Sequence, residues 1–151
     1  MSQRTVPAHT SDDVVRLART WIGTPYHHQA SLKHVGTDCL GLVRGVWREL
    51  YGGEAERAPA YAGDWAEATG QETLLNAAER HLIARPAGTI VSGDVVVFRY
   101  RSTMVAKHIG IATSDASFVH AIEGRRVSEV AFSDWWRRRI AGVFQFPGVL
   151  S

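Results

Sequence analysis

The sequence predicts an α+β domain in which N-terminal helices pack on an antiparallel β-sheet, and two observations predict it. The first half carries apolar residues at helical spacing, while the part beyond Pro86 carries short β-branched or aromatic runs separated by Gly, Ser and Asp. Helices followed by a meander of strands is the pattern of a segregated α+β architecture. At 151 residues the chain reads as one domain, 1–151, long enough to bury a core without metals or disulfides. No repeat, low-complexity tract or linker interrupts it.

Thr10 or Ser11 can cap a first helix whose apolar positions are Val14, Leu17, Ala18 and Trp21, with Asp12 and Asp13 at its positive end. Gly23-Thr24-Pro25 stops it. YHHQASLKHVGT, residues 26–37, has mixed polarity without a period and reads as a loop. A second helix starts near Cys39 and runs through Leu42, Val43, Val46, Trp47 and Leu50 to Gly52-Gly53. EAERAPAYAGDW, residues 54–65, reads as a surface loop. A third helix, Gln71 to Ala84, places Leu74, Leu75, Ala78 and Leu82 on one face. The strands follow as DVVVFRY (94–100), HIGIAT (108–113), SFVHAI (117–122), RRVSEV (125–130) and AGVFQF (141–146).

The formal charge of +2 is mild, and the arginines are dispersed apart from Arg125-Arg126 and Arg137 to Arg139. No nucleic-acid-binding motif accompanies these runs, so they read as solvated surface and no nucleic-acid contact is expected. No apolar run is long enough to span a bilayer, and MSQRTVPAHTSDD lacks the apolar region of a signal peptide. The expected site of synthesis is the cytoplasm, without an export signal.

Cys39 is the single cysteine, which excludes an internal disulfide. At a helix N-terminus its thiolate is expected to be favoured. Asp38 can cap that helix. Gly41 weakens it by about 1 kcal/mol relative to alanine, a cost that suits a close approach by another backbone or a substrate. His108 opens one strand and His120 lies in the next. If the two are adjacent and antiparallel, both imidazoles share a face, giving a base and a group to orient it. A buried inert thiol and two satisfied histidines are the bland alternative. A zinc site from Cys39, His34, His108 and His120 is the chemical rival. The cysteine has no ligand partner at the usual close spacing, so neither metal nor cofactor is expected. His27-His28 reads as polar loop surface.

These residues occur within a wider similarity. TPYHHQASLKHVGTDCLGLVRGVW (24–47) resembles the catalytic segment of the NlpC family of papain-like cysteine peptidases. SGDVVVFR, KHIGIAT and SFVHAIEG resemble three later blocks of that family, in its order, across about residues 12 to 147. The resemblance implies a papain-like fold, with Cys39 as nucleophile, His108 as general base and His120 as the residue that orients the base. It matches Tyr26 to an aromatic beside the nucleophile that supports the oxyanion, and Asp38 to an acid that is structural or substrate-orienting. Leu40 departs from the pattern, since many members carry serine there, which puts fine substrate preference in doubt.

The implied activity is a peptidoglycan endopeptidase acting on stem peptides, at the bond between D-glutamate's γ-carboxyl and the following diamino acid. FSDWWRRRIAGVFQFP (132–147) resembles the phage-type branch. That branch implies tail or baseplate proteins as partners, a place in the tail of a phage or phage-like gene-transfer particle, and wall opening for DNA delivery. The rival readings are a structural tail protein keeping the fold with little catalysis, and an amidase or acyltransferase on the same scaffold.

Overall fold

The computed structural model describes residues 9–55 and 72–150, in which the helices lie against one six-stranded sheet. β1 (His9–Thr10) leads directly into α1 (Ser11–Arg19). Thr10 Oγ1 accepts from the Asp13 N–H at 3.1 Å, and the Asp13 carboxylate accepts from the Thr10 N–H at 3.0 Å. This reciprocal capping box fixes the helix start. The helix buries Val14, Val15 and Ala18, with Trp21 following just past its end.

The segment expected to be a loop holds a small hairpin, β2 (Ser31–Leu32) with β3 (Gly36–Thr37). Strands of two residues carry no legible alternation, so only the pairing reveals them. α2 (Cys39–Tyr51) starts and stops where the sequence places it, and Gly52 closes it in the left-handed region at φ +83°. Gly45 faces the Trp21 ring so closely that an added Cβ would lie 2.0 Å from the indole. The Trp21 N–H is in turn held by Glu49 at 3.1 Å.

α3 (Thr73–His81) is shorter than the helix expected over 71–84, whose first residue lies outside the described residues. Leu82 turns extended, and residues 83–85 form β4 (Ile83–Arg85) instead of a last helical turn. The reason is tertiary: β4 finds a partner strand, and Arg85 reaches the buried Asp94 carboxylate at 3.2 Å. Most of the expected loop at 54–65 also lies outside the described residues.

The remaining strands are β5 (Val95–Phe98), β6 (His108–Ala112), β7 (Ser117–His120), β8 (Ser128–Ala131), β9 (Ile140–Gln145) and β10 (Val149–Leu150). The large sheet has the order β4-β9-β5-β6-β7-β8 and every pairing in it is antiparallel. The expected meander holds for β5 to β8, after which β9 returns across the sheet to insert between β4 and β5. β10 runs parallel to β1, pairing His9 with Val149 and Thr10 with Leu150.

Both faces of the central strands are buried. Val95, Val97, Ile109, Ile111 and Val119 meet α1, α2 and α3 through Val14, Ala18, Leu42, Val46 and Leu74. On the other face Val96, Phe98, Ala112, Phe118 and Phe132 form a second apolar layer. A four-residue helix, α4 (Asp134–Arg137), edges that layer with Trp136. Its four residues fall where the sequence shows no period. Among the described residues no helix is long and apolar enough to cross a membrane.

The packing of Gly45 against Trp21 is testable. In Gly45→Ala the helix gains about 1 kcal/mol in propensity, but forcing a methyl into a buried indole costs about 3 kcal/mol. A net loss of about 2 kcal/mol in urea unfolding is expected. An unchanged midpoint would mean that Trp21 moves aside freely.

Candidate active site

Asp38 anchors the site. Its Oδ1 accepts from the Gly41 N–H at 2.7 Å as the cap of α2, and its Oδ2 accepts from the Gln29 N–H at 2.8 Å. The carboxylate therefore ties the preceding loop to the helix start, where Gln29 adopts φ +62°. Gly41 makes the approach possible, because a Cβ there would lie 2.0 Å from the Ala30 carbonyl oxygen. Of the two reasons considered for that glycine, close packing of a backbone is the one found.

Cys39, the first residue of α2, is held against β6. Its thiol donates to the Lys107 carbonyl at 3.9 Å, while the Ile109 N–H is directed at the sulfur. The β6–β7 ladder ends at the pair Ile111–Val119. The sulfur thus meets the backbone at the start of β6, on the side of the last ladder pair where the pairing with β7 has ended.

His108 lies between those two backbone contacts in sequence, and its Nε2 is 2.8 Å from Nδ1 of His120. β6 and β7 are adjacent and antiparallel, as the shared-face condition requires. Gly110 permits the close approach: a Cβ there would lie 2.9 Å from the Phe118 ring and 3.0 Å from the Val119 oxygen. With Nε2 engaged, Nδ1 is the His108 nitrogen left to take a thiol proton. A base acting through Nδ1 carries its own proton on Nε2 and donates it to His120, which fixes both tautomers.

Tyr26 is half-buried, bridged to Thr37, and near enough to Cys39 and Asp38 that the carboxylate, and the thiol once ionised, raise its phenol. Burial is the larger cause, and together they push it up to about 12. Tyr100, which the sequence reading did not single out, is in the same position. Burial first, then the charges of Cys39 and Tyr26, push it to about 12. Its ring also stacks on His108 at 5.9 Å. The period of two that puts Val96 and Phe98 on one face could have flagged it.

The expectation of a favoured thiolate is corrected here. The Cys39 and Leu40 N–H groups at the helix start do lower the thiol, but burial outweighs them, Asp38 adds to it, and the result is about 12. Burial also drives His108 down to about 3, helped by His120, and His120 down to about 4, helped by Arg125. The Cys39 thiol and the two imidazoles therefore rest neutral. The zinc rival does not match this arrangement, because the facing ring nitrogens of His108 and His120 are spent on each other. His34 is exposed between β2 and β3 at φ +67°, and His27 and His28 are exposed in the loop before them. Among the described residues no three His, Cys, Asp or Glu side chains form a group able to hold a metal.

The profile of the NlpC/P60 family matches residues 23–145, which contain every one of these groups. The chain belongs to the NlpC/P60 family. It is thus a domain of the cysteine-type hydrolase class, on the fold that the sequence blocks imply. Among curated relatives it is 28% identical over 144 residues to a gamma-DL-glutamyl hydrolase of Bacillus subtilis, covering 95% of this chain and 31% of that protein. It is 28% identical over 120 residues to murein DD-endopeptidase MepS/murein LD-carboxypeptidase of Escherichia coli, covering 79% and 54%. The chain thus spans about half or less of these relatives' own lengths. Among solved structures, an NlpC/P60 family protein from Bacillus cereus superposes with TM-score 0.68 at 18% identity, covering 96% of this chain and 43% of that one. The NlpC/p60 domain of the peptidoglycan hydrolase SagA gives TM-score 0.61 at 20% identity, covering 91% and 99%.

The histidine pair gives the NlpC/P60 domain a specific acid sensitivity. Both imidazoles are lowered from 6.5, so as the pH falls the unfolded chain binds their protons first. Their contribution is complete above pH 6.5 and is lost as the pH falls through that value toward the lowered ones. The urea midpoint is expected to drop between pH 6.5 and 4.5, before carboxylates such as Glu129 titrate. His120→Asn should make that drop shallower, leaving the part that buried His108 contributes, and a wild-type midpoint that stays level across it would contradict the assignment.

Proposed function

We propose that this domain is a peptidoglycan endopeptidase that cleaves an amide of the stem peptide with a Cys39–His108–His120 triad. The observation that carries the reading is the 2.8 Å contact between His108 and His120, set beside a thiol at the end of the β6–β7 ladder. The names of the curated relatives supply the substrate class, since they act on γ-glutamyl and murein bonds. The bond favoured here is the one between the γ-carboxyl of D-glutamate and the following diamino acid.

Because thiol and imidazole rest neutral, nucleophile activation waits for substrate. A carbonyl carbon brought to Cys39 lets Sγ form the new S–C bond as its proton passes to Nδ1 of His108. His120 accepts the Nε2–H and steadies the imidazolium. The carbonyl oxygen becomes an oxyanion, met by the Cys39 N–H and the Tyr26 hydroxyl. When the C–N bond breaks, the imidazolium gives its proton to the leaving amine, leaving a thioester. Water then attacks with His108 as base, the acid is released, and the proton returns to sulfur. Asp38, with both oxygens on backbone N–H groups, serves by holding the nucleophile's helix in place.

The site of action proposed is the cell wall, reached in the tail of a phage or phage-like particle with tail or baseplate proteins as partners. This rests on the resemblance of residues 132–147 to the tail-associated branch.

Incubating purified sacculi with the domain should release fragments split between glutamate and the diamino acid, identified by mass spectrometry of the muropeptides. Cys39→Ala should abolish release, and His120→Ala should slow it about a hundredfold while His120→Asn, which keeps an acceptor, restores most of it. Full activity of Cys39→Ala would refute the triad, and loss of cross-links alone would move the cut to a different bond. For the tail assignment, the chain should be found by mass spectrometry in gradient-purified particles from the source cells. Its presence in cell envelopes and absence from such particles would count against that location.

A further inference from the structure

We infer that Trp136 is a positioning residue for the histidine pair, a cover that fixes the plane of His108 and keeps water off the hydrogen bond between the two rings. This deepens the proposed function and rests on it for its catalytic consequence. Trp136 is half-buried on the face of the sheet opposite the helices. Its indole stacks on His108 at 5.4 Å and 29°, and meets His120 edge-on at 5.3 Å and 90°. Phe98 and Phe118 enclose it at 4.9 and 5.3 Å. One side chain therefore touches both imidazoles at once, on the side away from α2.

A helix of four residues does not hold itself in place. α4 is tied down by its own sequence. Ser133 caps it through the Trp136 N–H at 3.4 Å. Arg137 reaches the Phe132 carbonyl at 3.1 Å and the Asp115 carbonyl at 2.7 Å, in the turn between β6 and β7. Arg139 reaches the Tyr100 carbonyl at 3.2 Å and the Trp135 carbonyl at 2.9 Å, with its guanidinium 3.7 Å over the Trp135 ring. Two of those ties, to Asp115 and Tyr100, end on the segments that follow β6 and β5, and the other two brace the helix itself. The basic run read from sequence as solvated surface is thus largely a set of staples holding Trp136 in place.

The titratable and charged groups around the pair are Cys39 from α2, the Tyr100 phenol after β5 and Arg125 in the turn after β7. On α4 and its end they are Asp134, Arg137, Arg138 and Arg139. Arg125 opposes charge on His120. The indole adds no charge, so it acts by excluding water and by fixing ring orientation.

The test is an NMR titration of the histidine ring protons, with cleavage of muropeptides measured alongside. In wild type the His108 and His120 signals should stay level through neutral pH. In Trp136→Ala at least one should move up by about one unit or more as water enters. On substrate, kcat should fall about ten- to a hundredfold with KM little changed, and the acid limb of the pH profile should shift to higher pH. Trp136→Phe, which keeps a flat apolar cover, should recover most of both. Arg139→Gln, which loosens one staple without touching either histidine, gives the same shifts in smaller measure and serves if Trp136→Ala fails to fold. Unchanged ring titrations and an unchanged acid limb in these folded variants would overturn the inference. Shifted titrations support it even if wild type cleaves no muropeptide, a result that would instead remove the hydrolase reading.

Discussion

Everything in this site depends on the parting of β6 from β7. While the two strands stay paired, their backbone groups satisfy each other, and Ile111–Val119 is the last pair to do so. Beyond it, the Lys107 carbonyl just before β6 and the Ile109 N–H within it take a side chain as partner. The start of α2 supplies one in the Cys39 sulfur. A defect in a ladder is thereby converted into a slot that accepts a side chain. His108 lies between the two residues whose backbone meets the sulfur, so the thiol and the histidine pair are positioned by the same few residues.

The slot works only because the parts entering it are unusually close. Gly41 lets the Ala30 carbonyl lie against α2, and Gly110 lets Phe118 and His120 lie against β6. Asp38 holds the loop and the helix end with one carboxylate. Closeness also removes water, and that sets the chemistry. Burial of the thiol prevails over the favourable N–H groups at the helix start, and burial of the imidazoles prevails over their ordinary basicity.

How much of this was legible in the sequence follows from the range of each interaction. Capping, helical period and the left-handed stop at Gly52 are local, so α2 and the start of α1 were readable almost to the residue, while α1 ends at Arg19, before the Trp21 expected within it. The side-by-side placement of His108 and His120 needed only that consecutive strands pair, which they do. Where the decision was tertiary, local pattern failed. The last turn expected of α3 became β4 because β9 and Asp94 offered it partners. Trp136 belongs to a segment with no period, and its role is visible only once the second apolar layer of the sheet is formed. The family blocks pointed to Cys39, His108 and His120 as candidates but not to the ionisation state of the thiol, since that depends on how much water the assembled cleft retains.

The parallel pairing of β1 with β10 has a consequence for how the domain can be joined to other proteins. His9 and Leu150 belong to neighbouring strands only two residues long. Strands in register lie about 5 Å apart and rise about 3.3 Å per residue, so these two residues are separated by less than the width of a helix. A host chain could therefore receive the domain as an insertion in one of its surface loops without spreading that loop's ends. For the same reason a short peptide joining Leu150 to His9 would bridge the two strands without straining either, and new ends could be opened at an exposed turn remote from the cleft.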